Sequence, residues 1–161
     1  MPDIVEFLTA RLDEDDRVAR EATAKAAGGP VYGAPDLTGK WRATNDGIYA
    51  DTAYTSSPFA IDGYGFLPDE IGAHIARHDP ARVLAEVKAK RAIVQAHACV
   101  WLVDQWVEVA PGQRRRGELR VCRACEPVSG FMTDQWPCLT LKLLAAPYDQ
   151  HPDYKQEWGV E

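Results

Sequence analysis

The amino-acid sequence predicts a small α+β domain in which helices pack with a short antiparallel sheet or hairpin. Three observations lead there. Apolar residues recur every three to four positions near the start and again in the middle, the spacing of helices with one buried face. Short runs rich in Val, Trp, Tyr and Thr are punctuated elsewhere by Gly, Pro, Asn and Asp, as strands joined by turns would be. Three of the four cysteines then stand close together, at Cys122, Cys125 and Cys138.

A chain of 161 residues suggests one domain. At that length roughly 70% of the unfolded surface is buried, enough for one modest core. Hydrophobic content of 46% and charged content of 26% are those of a globular protein. No stretch approaches the ~18 apolar residues of a membrane span. The opening "MPDIVEFLTARLDEDD" lacks the basic and apolar regions of a secretion signal. A cytoplasmic location and no membrane contact are therefore expected. Four cysteines are too few for a secreted disulfide scaffold, so metal or redox use is favoured.

Residues 1–27 are expected to form the first helix. Ile4, Phe7, Leu8, Arg11 and Leu12 begin its stripe, and Val18 and Ala22 continue it. Asp3 and Glu6 make a variant capping box, and "GGP" at 28–30 ends the run. Residues 28–68 form a loop- and strand-rich segment. "KWRAT", "GIYAD" and "PFAIDG" are its strand candidates, with "NDG" at 45–47 the best turn. A short helix covers 69–78. The next is capped by Asp79, with Pro80 at its first position and Val83, Leu84, Val87, Arg91 and Val94 on its buried side. "CVWLVDQWVEV" fits strand and helix periods alike, but its β-branched and aromatic content favours a strand. Trp101, Val103, Val107 and Val109 alternate along it. "APGQRRRG" is expected as an exposed turn with Arg114, Arg115 and Arg116 at a solvated tip, and "ELRVC" as the returning strand. Pro137 opens the last helix, with Leu141, Leu144 and Tyr148 on one face. Pro147 interrupts it, and Pro152 starts a final turn carrying Tyr154 and Trp158. Residues 69–161 thus form a helical, Cys-rich part.

Zinc takes four Cys or His ligands in a tetrahedron when its role is structural. A Cys-x-x-Cys turn aims two sulfurs at one point, and its backbone N–H groups can stabilise thiolates. Cys122 and Cys125 supply that turn. Cys138, in the expected first turn of a helix, adds a third thiol where the helix dipole favours a thiolate. A fourth ligand is needed. His97, at the end of the Asp79-capped helix, is the first candidate and Cys99 the second. A thioredoxin-like redox pair begins a helix, whereas the turn-like "EPVSG" follows Cys125. Free thiols packed as small apolar groups are the remaining reading.

Other constellations carry less. "HIARH" sets His74 and His78 one helical turn apart, a metal-ligand spacing without the adjacent Glu of a protease motif. His151 is expected to end one element and start another. Most of the tryptophans at 41, 101, 106, 136 and 158 are expected in the core; two or three exposed ones would suggest a partner surface. The net charge of −6 argues against general nucleic-acid affinity. Yet ten Lys/Arg against five Asp/Glu lie between Arg77 and Arg123, an excess that can be met by the acidic flanks. No phosphate-cradling glycine motif or Gly-x-Ser-x-Gly elbow is present.

"DIVEFLTARLDED", "HIARHDPARVLAEVKAKRAIVQAH" and "WPCLTLKLLAAPYDQHPDYKQEW" resemble a family of short uncharacterised proteins of actinobacteria and their phages. The resemblance implies a helix ending in His, then Cys-x-x-Cys, then Trp-Pro-Cys. On this chain those are His97, Cys122, Cys125 and Cys138, so it favours His97 over Cys99 and zinc as the bound ion. The family has no assigned function.

A metal clamp without an accompanying catalytic set points to a non-catalytic, zinc-stabilised accessory module that docks on another protein. One alternative is a nucleic-acid-binding protein using Lys88, Lys90, Arg91, Arg114, Arg115 and Arg116. Another is a metal-dependent enzyme built around His74 and His78.

Overall fold

A computed structural model describes residues 3–26, 40–44, 47–50, 68–125 and 136–160. Its elements are α1 (Ile4–Ala26), β1 (Trp41–Thr44), β2 (Gly47–Ala50), α2 (Asp69–Arg77), α3 (Pro80–Ala96), β3 (Cys99–Ala110), β4 (Gln113–Cys122) and α4 (Leu139–Ala145), followed by short 3-10 turns at Ala146–Tyr148 and Gln156–Trp158. The class is α+β, with four helices and two antiparallel hairpins among the described residues. The chain divides into two compact units, Leu12–Ala89 and Met1–Arg11 with Lys90–Glu161. The expected strand "PFAIDG" and the helix stop at 28–30 lie outside the described residues.

Within Leu12–Ala89, α1 buries Leu12 and Ala19. The stripe was expected through Val18, which is 52% exposed. A period of 3.6 residues from Leu12 arrives at Ala19 rather than Val18. On the outer face Arg17 pairs with Glu21 and Arg20 with Asp16, each one turn apart, and solvent screening keeps such exposed pairs weak. β1 and β2 form a hairpin whose pairs run from Trp41↔Ala50 to Thr44↔Gly47. Asn45 and Asp46 of the expected turn lie outside the described residues. Ile48 is fully buried, and Arg42 stacks on Tyr49 across the hairpin at 4.4 Å. Asp79 caps α3 as expected, its Oδ1 accepting the Arg82 N–H at 2.8 Å. Its Oδ2 also accepts the Trp41 N–H at 3.3 Å. One carboxylate thus ties the start of β1 to the start of α3.

In the other unit the capping box closes as read. The Asp3 Oδ1 accepts the N–H groups of Val5 and Glu6, and Glu6 accepts the Asp3 N–H. Ile4, Phe7 and Leu8 are buried. Phe7 meets the rings of Tyr148, His151, Tyr154 and Trp158, with centroids 5.1 to 6.2 Å away. His151 also contacts the Arg11 guanidinium. The final turn is therefore anchored by aromatic packing, and Trp158 is 2% exposed.

β3 and β4 form the second hairpin, and three expectations change there. First, the turn is only Pro111–Gly112, with Gly112 at φ +76°, a conformation that favours glycine. Arg114, Arg115 and Arg116 lie in β4 opposite Glu108, Val107 and Trp106, not at the tip. Second, the register steps from Leu102↔Leu119 to Gln105↔Gly117, so β3 holds one extra residue there. That bulge reverses the alternation. Trp106, five residues after Trp101, thereby shares its face, because their partners Arg116 and Arg120 are an even number apart. Third, most tryptophans are not core. Trp136 and Trp158 are buried and Trp41 is half-buried, but Trp101 and Trp106 are 59% and 58% exposed. The opposite side of the hairpin buries Leu119 and Val121.

α4 begins at Leu139, two residues after Pro137, and the Trp136–Pro137 peptide is cis. Cys138 is consequently the N-cap residue rather than part of the first turn. Leu141 and Ala145 form the buried face of α4, and Leu144 is half-buried.

Candidate metal centre

Four side chains from three chain segments converge at the base of the second hairpin. His97 follows the last residue of α3 and keeps a helical bond from its N–H to the Ile93 carbonyl, 3.0 Å. Cys122 ends β4, and Cys125 follows in the bend. The Arg123 N–H donates to the Ala98 carbonyl at 2.9 Å, which carries strand pairing one step past the hairpin's base. That pairing brings residues 97 and 122 together. Cys138 arrives from the start of α4.

The Nδ1 of His97 lies 3.2 Å from Cys122 Sγ, 3.6 Å from Cys125 Sγ and 3.5 Å from Cys138 Sγ. All four atoms fall within 4.8 Å of one another. A single ring nitrogen cannot satisfy three thiols by hydrogen bonding, since it offers one proton or one lone pair. A central ion explains the arrangement directly. Metal distances of about 2.3 Å to sulfur and about 2.0 Å to nitrogen, in a tetrahedron, separate N from S by about 3.5 Å. The donor set fits a metal ion. Cys122 and Cys138 are buried, and His97 and Cys125 are half-buried.

The electrostatics without an ion are uneven. Burial pushes the Cys122 thiol up, but the N–H groups of Ala124 and Cys125 and the Cys125 and Cys138 thiols outweigh it and leave it below its ordinary value. The Cys-x-x-Cys turn thus supplies the N–H support expected of it. Burial, then the neighbouring Cys122 and Cys138, push Cys125 up to about 11. Three thiols packed this closely cannot all ionise without a compensating cation.

The sequence-predicted residues divide clearly. His97, Cys122, Cys125 and Cys138 come together, and Cys99 does not join them. Cys99 instead pairs with Cys122 across the strands. His74 and His78 stack with ring centroids 4.7 Å apart on and just after α2. Among the described residues no third His, Cys, Asp or Glu completes a metal group with them. Sequence reading missed the exposed Trp101 and Trp106. The polar "DQ" at Asp104–Gln105, which interrupts the alternation inside the bulge, was the available signal.

Fold and site together define an α+β protein with a Cys3His cluster able to hold a metal ion. The chain belongs to DUF6221, a family of unknown function whose model matches residues 1–160. No curated protein and no solved structure matches it. Among the described residues no helix is long and apolar enough to cross a membrane.

Proposed function

We propose that the protein is a non-catalytic accessory module, stabilised by a structural zinc ion, that works by docking on a partner. The observation that carries this reading is the convergence of three thiols on one imidazole nitrogen. Thiolate with imidazole, in four-coordinate geometry, selects zinc among the common divalent ions. His97, Cys122, Cys125 and Cys138 fill every tetrahedral position, so no position is left for substrate or activated water. Such an ion pins the end of α3, the base of the second hairpin and the start of α4. Its binding contributes on the order of 10 kcal/mol to the fold.

Elemental analysis with native mass spectrometry tests the reading. One zinc per chain, lost together with the folded state on chelation, is expected. Protein that is purified without metal and stays compact would sink it. Two ions per chain would instead revive the metal-dependent enzyme around His74 and His78.

A further inference from the structure

The exposed side of the second hairpin carries Trp101, Val103 and Trp106 at 59%, 63% and 58% exposure. Each indole has a guanidinium over it from the facing strand, Arg120 at Trp101 (5.9 Å) and Arg116 at Trp106 (5.3 Å). These contacts follow the register, which sets Trp101 opposite Arg120 and Trp106 opposite Arg116. The bulge between Leu102 and Gln105 keeps both pairs on one side. Arg120 also lines a cavity of about 260 Å³ with Trp136, Lys142, Lys155 and Trp158. Aromatic and cationic groups therefore continue from the hairpin face to the cavity. Residues 90–125 carry seven Lys/Arg against three Asp/Glu, in a chain of net charge −6.

We infer that this face binds single-stranded nucleic acid, its bases stacking on Trp101 and Trp106 and its phosphates meeting Arg116, Arg120, Lys142 and Lys155. The inference deepens the reading of the protein as a docking module, and rests on it. Stacking needs an unpaired base with an open π-face, which a duplex hides. The two arginines lie four positions apart along β4, so the indoles stand about 13 Å apart at ~3.3 Å per residue. That span matches about four nucleotides at the stacked spacing of 3.4 Å, and fewer when the strand is drawn out. Three carboxylates border the path. Asp3 is engaged by the N–H groups of Val5 and Glu6, Glu157 lies 4.0 Å from the Lys155 ammonium, and Glu118 is exposed in β4 between the two arginines. They limit the affinity and place its origin in the stacking. A protein partner would use the same indoles but would show no preference for a polyanion.

The test uses the full zinc-loaded chain with fluorescein-labelled dT and U oligomers of about 15 nucleotides, read by anisotropy and tryptophan quenching. Binding at about 50 mM salt is expected, with a log–log salt slope between about −1.4 and −2.8 for two to four phosphate contacts. Trp101→Ala and Trp106→Ala should each weaken it about tenfold, and Trp106→Phe, which keeps a stacking ring, much less. Arg116→Ser should flatten the slope by about 0.7. Tighter binding of U than of dT would assign the ligand as RNA, and the reverse as DNA. Absence of binding to both oligomers, or binding indifferent to both Trp→Ala changes, overturns the proposal and leaves the face to a protein partner. Zinc content is measured on the same samples. A metal-free chain that binds defeats the zinc reading alone, and a zinc-loaded chain that does not bind defeats this one alone.

Discussion

Cys99 and Cys122 face each other across β3 and β4, yet only Cys122 joins the cluster with His97. The Arg123-to-Ala98 bond makes the next pair out a hydrogen-bonded one, so Cys99 and Cys122 form a non-hydrogen-bonded pair, the closer of the two kinds. Proximity along the sheet therefore does not decide membership. Replacing Cys99 by Ser should leave one zinc per chain. Replacing Cys122 by Ser should abolish stoichiometric binding. Equal metal loss in both variants would show that Cys99 is a ligand.

Chelation should unfold the protein or lower its melting temperature sharply. Metal binding on the order of 10 kcal/mol is comparable to the whole stability of a typical domain, about 5–15 kcal/mol. Cys138→Ser and His97→Ala should behave like the chelated protein, and calorimetry with and without chelator reads the difference. A melting curve that ignores the chelator would contradict the assignment.

Acid should release the ion. Cys125 is held up to about 11 by burial and by Cys122 and Cys138, so at neutral pH the ion must displace its proton. Cys125 alone then lowers zinc affinity about tenfold per pH unit of acidification. The metal-free fold has the opposite sign. A raised thiol value favours the folded state while Cys125 is protonated, and this contribution is lost as pH rises towards about 11. Competition against a chromophoric chelator at several pH values measures the first slope, and a flat profile is the contrary result.

Phe7 should be the costliest position in α1. It meets four rings of the C-terminal segment and is 2% exposed. Phe7→Ala should cost about 3–5 kcal/mol in denaturant unfolding of the zinc-loaded protein. A change within the range of a surface substitution, about 0.5 kcal/mol, would mean the segment packs otherwise.

Asp79 should matter more than an ordinary helix cap. Asp79→Ala removes the acceptor for the Arg82 N–H, typically about 1 kcal/mol. It also removes the acceptor for the Trp41 N–H. Asp79→Asn keeps one oxygen and should recover most of the cap. Identical losses in both variants would show that the charge, not the acceptor, is what counts.

The helices were largely legible in the sequence because caps and periodicity are local. Asp3 with Glu6, and Asp79 before Pro80, announce where α1 and α3 begin. The four cluster residues were legible because metal chemistry restricts ligand types and the Cys-x-x-Cys turn is short. The second hairpin was misread in detail. Its faces depend on one surplus residue between Leu102 and Gln105, whose only trace in the sequence is the polar pair Asp104–Gln105 within an apolar run. The turn shrank to Pro111–Gly112 because Gly112 supplies the positive φ that a tight reversal needs, so the arginines were free to pair in β4. The second duty of Asp79 towards Trp41 is a contact across 38 positions of chain, which no local pattern encodes.

The bulge in β3 makes the hairpin's length and its handed presentation separable properties. Trimming matched residues near Pro111 and Gly112 would shorten the arm and leave both indoles facing the same way. Deleting the surplus residue within Leu102–Gln105 would leave Trp106 four positions after Trp101 and still on its side, whereas adding one residue to β4 between Gly117 and Leu119 would match the surplus, restore strict alternation over five positions and turn Trp106 away from Trp101. The side on which the indoles stand is thus set by a mismatch of one residue between the two strands, not by the length of either.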